Sequence, residues 1–173
     1  MISIAVITGS AVGGGAELST ACDFRVLHPD AQVRFVHTKM GVSPGWGGGM
    51  RLTRLVGRRA ALRLLASAAP LTASDALSLG LADHVAGLVD EGEDGGACAT
   101  LRGAVEWAAP MLHGAAPSLR GVKSVVAAAD GLPAVDALEV EREVFASLWG
   151  GPAARSALSA TPHGQAKDPE GSA

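Results

Sequence analysis

The spacing of apolar and polar positions predicts an α/β chain that begins with short strands and ends with helices. Residues 2–7 are apolar and mostly β-branched, which favours a strand buried on both faces of a mainly parallel sheet. A glycine cluster then leads into a short predicted helix over 16–21. Extended segments follow at 24–27 and 33–36, separated by the turn His28-Pro29-Asp30. The first part of the chain is therefore predicted as strand, helix, strand, strand.

Helical spacing dominates the remainder of the chain. Residues 50–56 and 60–66 place apolar side chains on one face and arginines on the outer face. The segment Thr72–Asp75 has the form of a capping box, and Gly80 is placed to end the helix that follows it. One more strand is predicted at 85–89. Three longer helices are predicted at 100–111, 119–129 and 135–149.

These patterns predict three parts. Residues 1–90 carry the strands, and an acidic, glycine-rich loop at their end leads into a helical part over 91–158. Residues 159–173 mix Pro, Gly, Ser and charge without an apolar period, so we expect a disordered tail.

Composition and charge narrow the function classes. Fourteen basic residues against 17 acidic ones leave a net charge of -3, so a nucleic-acid partner is not expected. Cys22 and Cys98 have neither metal-ligand nor disulfide spacing, which predicts no metal site and a reducing compartment. No apolar run reaches the roughly 18 residues of a membrane span, and the N-terminus lacks the basic start of a signal peptide. We therefore expect a cytosolic protein without a membrane partner.

Two glycine-rich strings resemble the sites of other enzyme classes, and one residue type argues against each. Thr8–Gly15 fits the TGxxxGxG turn of short-chain dehydrogenases, but those enzymes use a Tyr proton donor and the chain has no Tyr. Gly41–Gly45 fits the GxSxG nucleophile elbow, in which the residue after the serine donates its N–H to the oxyanion. Here that residue is Pro44, which has no N–H, so Ser43 is interpreted as a loop residue.

A third interpretation treats the first glycine cluster as an oxyanion site. Backbone N–H groups at the start of a helix lack helical partners, and they can stabilise a carbonyl oxygen that gains negative charge. Gly14 is the natural donor, and Glu17 lies in the first turn of the same predicted helix. Glu17 could act as a base or orient a substrate, or it could serve only as a cap or helix-dipole partner.

Longer strings carry a more specific resemblance. The runs AVGGGAELSTACDFRV, VRFVHTKMGVSPGWGGGMRLTRLVG, LTASDALSLGLADHV and ALEVEREVFASLWGGPA resemble the crotonase (enoyl-CoA hydratase/isomerase) superfamily in order and spacing. The resemblance covers about Ile4 to Ala160. Within the superfamily, RFVH, MGVSPGWGG and LWGGPA are most similar to the decarboxylases of ethylmalonyl-CoA.

The resemblance implies a spiral of ββα turns, with a helical C-terminal part that assembles trimers or hexamers. It implies an acyl-CoA substrate, whose CoA is part of the substrate, and no separate cofactor. It also implies a thioester enolate held by two backbone N–H groups, of which Gly14 matches the second. Release of CO2 from ethylmalonyl-CoA, and less well from methylmalonyl-CoA, would be a clean-up reaction of acyl-CoA metabolism.

The hydratase alternative requires a second carboxylate to position water. The matching position is His37, and no Asp or Glu occurs between Asp30 and Asp75, so a paired-carboxylate hydratase is disfavoured. His37 could line the acyl pocket or protonate the carbanion, or it could be a packed histidine at a strand end. Lys39 departs from the decarboxylase pattern, which has an acidic residue there.

The predicted substrate-binding residues are Gly13, Trp46 and Gly47. Trp46 and Gly47 would form a wall of the acyl pocket, although a simply packed loop aromatic is equally consistent with the sequence. Family chains also have an N-terminal portion that supplies the first oxyanion donor and early strands. Without it, we expect severely reduced catalysis, and a non-catalytic role in oligomer assembly is the alternative.

Overall fold

The computed structural model describes residues 1–86 and 95–160. Residues 2–113 form one compact unit, and the residues from Gly114 onward form another together with Met1. The predicted domain boundary between residues 90 and 91 lies outside the described residues, as do most of the predicted tail 159–173 and the end of the predicted strand 85–89. Residues 159 and 160 belong to a helix.

The first unit contains all six strands of the described residues. Its elements run β1 (Ile4–Ile7), β2 (Ser10–Val12), α1 (Gly14–Ser19), β3 (Phe24–Leu27), β4 (Gln32–Arg34), a 3-10 turn (His37–Met40), α2 (Gly48–Ser67), β5 (Leu71–Thr72), α3 (Ala73–Ser78), β6 (His84–Val85), α4 (Gly95–Ala108) and a second 3-10 turn (Ala109–Leu112). The second unit contains α5 (Ala116–Gly131), α6 (Ala134–Leu148) and α7 (Pro152–Ala160).

The strands form two three-stranded sheets, in the orders β1-β3-β6 and β2-β4-β5. All pairs are parallel except β4 with β5. The unit β1-β2-α1 is followed by β3-β4-α2, and β3 and β4 each add to the sheet of the preceding unit. This repetition is a spiral of ββα turns, so the predicted α/β, crotonase-like fold is confirmed.

The core lies between the two sheets and the helices that cover them. Phe35, Leu27, Leu52 and Leu81 are almost fully buried in it, and Ala16 of α1 is completely buried. Burial of apolar surface on this scale is the main stabilising contribution to the fold. Ala16 packs α1 against this core, which fixes the position from which the side chains of α1 reach the site described below.

Several predicted boundaries differ from the structure for local reasons. The strand predicted at 2–7 begins at Ile4. Ile7 is the one residue of β1 that is buried, and the other three are partly exposed, which fits the place of β1 at the edge of its sheet among the described residues. β2 was not predicted, since its three residues are too few for a period and are mostly exposed. Gly57 interrupts α2 with non-helical angles (φ 77°, ψ 159°), which agrees with the two helical segments predicted there. Helix α7 was also not predicted.

The predicted capping box is confirmed. The Thr72 side chain accepts a hydrogen bond from the Asp75 N–H (3.1 Å), and its hydroxyl donates to the Asp75 carboxylate (2.7 Å). Gly80 follows α3 with φ 74°, a left-handed conformation that glycine adopts without steric cost.

Candidate active site

The carboxylate of Glu17 is the centre of the candidate site. Its side chain projects from α1, is almost completely buried, and accepts hydrogen bonds from the backbone N–H groups of Trp46 and Gly48, both at 2.9 Å. The Gly45 N–H donates to its other oxygen at 3.4 Å. Helix α2 has no side-chain cap from its own N-cap residue, Gly47. Glu17 therefore supplies the missing acceptor from another element and fixes the loop that precedes α2.

His37 lies beside this carboxylate. Its Nε2 is 2.8 Å from Glu17 Oε1, and the imidazole is about nine-tenths buried. The other ring nitrogen, Nδ1, is buried without a hydrogen-bond partner among the described residues. In this pair both oxygens of the Glu17 carboxylate accept hydrogen bonds, whereas one of the two ring nitrogens of His37 has no partner among the described residues.

The environment of Glu17 lowers its pKa. Burial alone raises the pKa of this carboxyl, since it disfavours the charged form, but the N–H groups of Gly48, Trp46 and Gly45 and the charge of His37 outweigh it. Glu17 is consequently ionised at neutral pH. An ionised carboxylate only accepts hydrogen bonds, so His37 Nε2 must carry the proton in their shared contact.

Glycines allow the close approaches that build this site. A Cβ at Gly48 would lie 2.4 Å from Glu17 Cγ, and a Cβ at Gly14 would lie 2.5 Å from Trp46 Cζ3. Gly47 has φ 77°, and a Cβ there would lie 2.7 Å from Arg51 Nη1. Each of these glycines therefore lies against a side chain of the same cluster.

Arg51 is a residue of the site that the sequence did not reveal. Its Nη2 donates to the carbonyl oxygens of Glu17 (3.1 Å) and Trp46 (2.9 Å), and its Nε donates to Thr20 Oγ1 (3.0 Å). It was predicted on the outer face of its helix, which is wrong because the first turn of α2 faces α1. No sequence motif includes Arg51. The one feature that could have indicated its role is its position one helical turn after the Gly47-Gly48 pair.

Gly14 begins helix α1, and the backbone hydrogen bonds of the preceding residue, Gly13, fix the entry to that helix. The Gly13 N–H donates to the Arg34 carbonyl (2.9 Å) and the Gly13 carbonyl accepts from the Glu17 N–H (3.0 Å). Because Gly14 is the first residue of α1, its N–H has no acceptor within that helix. The Trp46 ring lies against the Cα of Gly14, and 69% of Trp46 is exposed.

The structure thus brings the six predicted site residues into one cluster, namely Gly13, Gly14, Glu17, His37, Trp46 and Gly47. Lys39, on the 3-10 turn after β4, is exposed. Across residues 1–86 and 95–160, no group of three or more His, Cys, Asp or Glu side chains is arranged to hold a metal ion. None of the helices described in these ranges is long and apolar enough to span a bilayer.

Comparison with known proteins identifies relatives of this chain. A Gallus gallus protein named ethylmalonyl-CoA decarboxylase is 46% identical over 159 residues, which are 92% of this chain and 51% of that protein. A Danio rerio protein of the same name is 44% identical over 94% of this chain and 52% of its own length. A Thermobifida fusca protein solved with acetoacetyl-CoA superposes with a TM-score of 0.72 at 27% identity, covering 85% of this chain and 54% of that one.

The chain spans about half the length of the curated relatives it matches. The model of the enoyl-CoA hydratase/isomerase family matches residues 1–157, nearly all of the chain. The ββα spiral and the sequence relatives agree with that match, and the chain belongs to the enoyl-CoA hydratase/isomerase family of the crotonase superfamily.

Proposed function

We propose that the protein is an acyl-CoA decarboxylase that converts ethylmalonyl-CoA, and less readily methylmalonyl-CoA, to the saturated acyl-CoA and CO2. The observation that carries this proposal is the Glu17–His37 pair, with Nε2 2.8 Å from Oε1. A hydratase needs two carboxylates that handle a water molecule, and here the partner of the carboxylate is an imidazole. The names of the relatives at 46% and 44% identity support the same reaction.

The reaction needs an oxyanion site more than it needs a base. As the bond between the α-carbon and the carboxylate breaks, its electron pair moves into the thioester and places negative charge on the carbonyl oxygen. In this proposal the N–H of Gly14 donates to that oxygen, and one such donor typically contributes about 3 kcal/mol of transition-state stabilisation. No proton has to be removed from the substrate, so the occupied carboxylate of Glu17 serves to position the loop rather than to act as a base.

The remaining predicted residues are assigned to binding. Gly13, Trp46 and Gly47 are assigned to the acyl pocket. The exposed indole of Trp46 offers a surface against which an alkyl branch at the α-carbon can pack. The proposal includes no metal or organic cofactor, because CoA belongs to the substrate and CO2 loss from a malonyl thioester uses the thioester itself as the electron acceptor. A cytosolic clean-up role in acyl-CoA metabolism is part of the same proposal.

The family enolate site uses two backbone donors, and Gly14 supplies one. In the proposal, the other comes from sequence that corresponds to the half of the relatives not matched by this chain. The chain alone would then turn over slowly, and the helical C-terminal part would bring it into trimers or hexamers. A non-catalytic assembly role is the alternative, and hydration of an enoyl-CoA is a second one.

The test measures CO2 release from ethylmalonyl-CoA by the chain and by a fusion that places the N-terminal half of the Gallus gallus relative ahead of Met1. We expect faster release by the fusion. If the fusion hydrates crotonyl-CoA and leaves ethylmalonyl-CoA untouched, the decarboxylase proposal is wrong. If neither reaction occurs but the chain forms mixed oligomers with the relative, the assembly role replaces it.

A matched pair of variants tests the Gly14 donor. Gly14→Pro and Gly14→Ala both place a Cβ against Trp46, but only proline removes the N–H, and proline is tolerated in the first turn of a helix. We expect Gly14→Pro to reduce kcat at least about 100-fold below Gly14→Ala. Equal activity of the two variants would show that the N–H of Gly14 does not stabilise the oxyanion.

A further inference from the structure

We propose that Arg51 is a positioning residue for acyl-chain recognition: it fixes the Trp46 indole, against which the alkyl branch of the substrate packs. This inference rests on the proposed function, in which Trp46 belongs to the acyl pocket. It concerns how the chain distinguishes an ethyl branch from a methyl branch, and not the loss of CO2 itself.

The main chain of Trp46 is held on both sides of its Cα. Its N–H donates to Glu17 Oε2 at 2.9 Å, and its carbonyl oxygen accepts a hydrogen bond from Arg51 Nη2 at 2.9 Å. Each bond restrains one of the two planar peptide groups that meet at this Cα, so together they fix the direction of the Cα–Cβ bond. Only the side-chain torsions of Trp46 are then left to place the indole.

Arg51 is anchored to α1 independently of Trp46. Its Nε donates to Thr20 Oγ1 at 3.0 Å, and Nη2 also donates to the Glu17 carbonyl oxygen at 3.1 Å. The Thr20 hydroxyl donates to the same carbonyl oxygen at 2.6 Å. Because the planar guanidinium presents its N–H groups at fixed angles, this anchorage directs Nη2 toward the Trp46 carbonyl. Arg51 therefore links Trp46 to the helix that begins at Gly14.

The indole itself is held by little packing, since 69% of Trp46 is exposed. Its six-membered ring lies against Gly14, where a Cβ would be 2.5 Å from Cζ3 and 2.8 Å from Cη2. The α-carbon of a thioester is bonded directly to the carbonyl carbon, so its branch lies close to the oxygen that the Gly14 N–H would hold. An exposed aromatic surface in this place suits an apolar branch, and the main-chain hydrogen bonds keep it there.

The start of α2 has anchors other than the guanidinium. The Gly48 N–H donates to Glu17 Oε2 at 2.9 Å, and the backbone N–H of Arg51 donates to the Gly47 carbonyl at 3.1 Å. Both bonds remain when the Arg51 side chain is replaced. We therefore expect its replacement to change the orientation of the Trp46 indole more than the attachment of α2 to α1.

Substrate preference tests the assignment in the chain, alone and in the fusion with the N-terminal half of the Gallus gallus relative. We expect kcat/KM to be about 10-fold higher for ethylmalonyl-CoA than for methylmalonyl-CoA. Arg51→Lys keeps the charge but loses the planar fork, so KM for ethylmalonyl-CoA should rise about 10-fold, kcat should change less than about 3-fold, and the preference should disappear. A parent without preference, or parental KM and preference in Arg51→Lys, would overturn the inference.

Two control variants separate positioning from general effects on the helices. Arg59→Lys makes the same substitution at an exposed position of α2 and should keep the parental preference. Ser19→Ala removes the buried hydrogen bond from Ser19 Oγ to the Ala16 carbonyl (2.8 Å), so it should lower the melting temperature and still keep the preference. Loss of the preference in either control would overturn the inference.

A double-mutant cycle shows whether Arg51 acts through Trp46. Trp46→Ala should also abolish the preference for the ethyl branch. If Arg51 acts by holding the indole, Arg51→Lys should have no further effect on KM in a chain that already carries Trp46→Ala. Additive increases in KM would show that Arg51 acts by another route and would overturn the inference.

Binding of two saturated thioesters separates this inference from the proposed function. Butyryl-CoA carries an ethyl group on its α-carbon and propionyl-CoA a methyl group, and neither has a carboxylate to lose. Calorimetry should show about 10-fold tighter binding of butyryl-CoA by the parent, and equal binding of the two by Arg51→Lys. If no CO2 is released but this difference persists, the decarboxylase proposal fails and the inference stands. If CO2 is released but the parent binds both thioesters equally, the inference fails and the decarboxylase proposal stands.

Discussion

Glu17 Oε1 and His37 Nε2 lie 2.8 Å apart although the two residues belong to successive turns of the ββα spiral. The contact links α1 to the 3-10 turn after β4, and the other contacts of the same carboxylate link α1 to the start of α2. One buried side chain therefore holds three segments of the site together. Its removal should affect stability as well as chemistry.

Glu17→Gln should destabilise the fold. A glutamine amide has one acceptor oxygen, and its NH2 group would face either the N–H of Trp46 or Gly48 or the Nε2–H of His37. A buried donor left without an acceptor, together with the loss of charge-assisted hydrogen bonds, predicts a decrease of about 2–4 kcal/mol in the free energy of unfolding. Denaturant titration measures it. Glu106→Gln, at an exposed position on α4, is the matched control and should change stability by less than about 0.5 kcal/mol.

The lowered pKa of Glu17 predicts a dependence of stability on pH. A carboxyl whose pKa is lower in the folded chain than in the unfolded chain contributes stability above its unfolded pKa, about 4.3. That contribution is lost as pH falls through the folded pKa, because both states are then protonated. Between pH 6 and 3 the free energy of unfolding should fall less steeply in Glu17→Gln than in the parent. Glu106→Gln should keep the parental slope, and identical slopes in all three proteins would contradict the assignment.

Two neighbouring glycines provide a sharp comparison at the start of α2. A Cβ at Gly48 would lie 2.4 Å from Glu17 Cγ, whereas a Cβ at Gly49 would lie 3.8 Å from Pro44, an ordinary contact. Gly48→Ala must therefore displace the Glu17 side chain, and we expect a loss of roughly 1–3 kcal/mol. Gly49→Ala should be neutral, or stabilising by up to about 1 kcal/mol from helix propensity. Thermal unfolding of both variants tests the difference. Equal melting temperatures would show that the Glu17 side chain can move away from the new Cβ without loss of stability.

The sequence predicted the elements better than it predicted the contacts within the site. The bounds of β3 agree with the prediction at 24–27, because four apolar or long side chains between turn residues form a clear signal. β2 was not predicted, because a three-residue strand beside glycines is too short to show a periodic pattern of apolar residues. The contacts of Glu17 with Gly45, Trp46 and Gly48 were not predictable, since they join a side chain to backbone N–H groups that the pattern of residue types does not describe.

The two roles left open for Glu17 show the same limit. Its place in the first turn of α1 suggested a cap or dipole role at that helix. The N–H groups that donate to it instead belong to Trp46, in the loop before α2, and to Gly48, the first residue of α2. Helical spacing likewise placed Arg51 outward, while tertiary packing turned its guanidinium toward α1. Both cases depend on how two helices meet, which is determined by the packed fold and not by either segment alone.

The open edge of the second sheet leads to the last prediction. Among the described residues β2 pairs only with β4, and Val12 at its end is 46% exposed. A strand edge with unpaired backbone groups can pair with another chain, and a charged side chain on that edge opposes this association. Val12→Lys should therefore lower the amount of large, concentration-dependent species in light scattering without changing the discrete oligomer. Leu62→Lys adds the same charge at an exposed position of helix α2, so an equal effect of the two variants would attribute the change to surface charge rather than to the edge of β2.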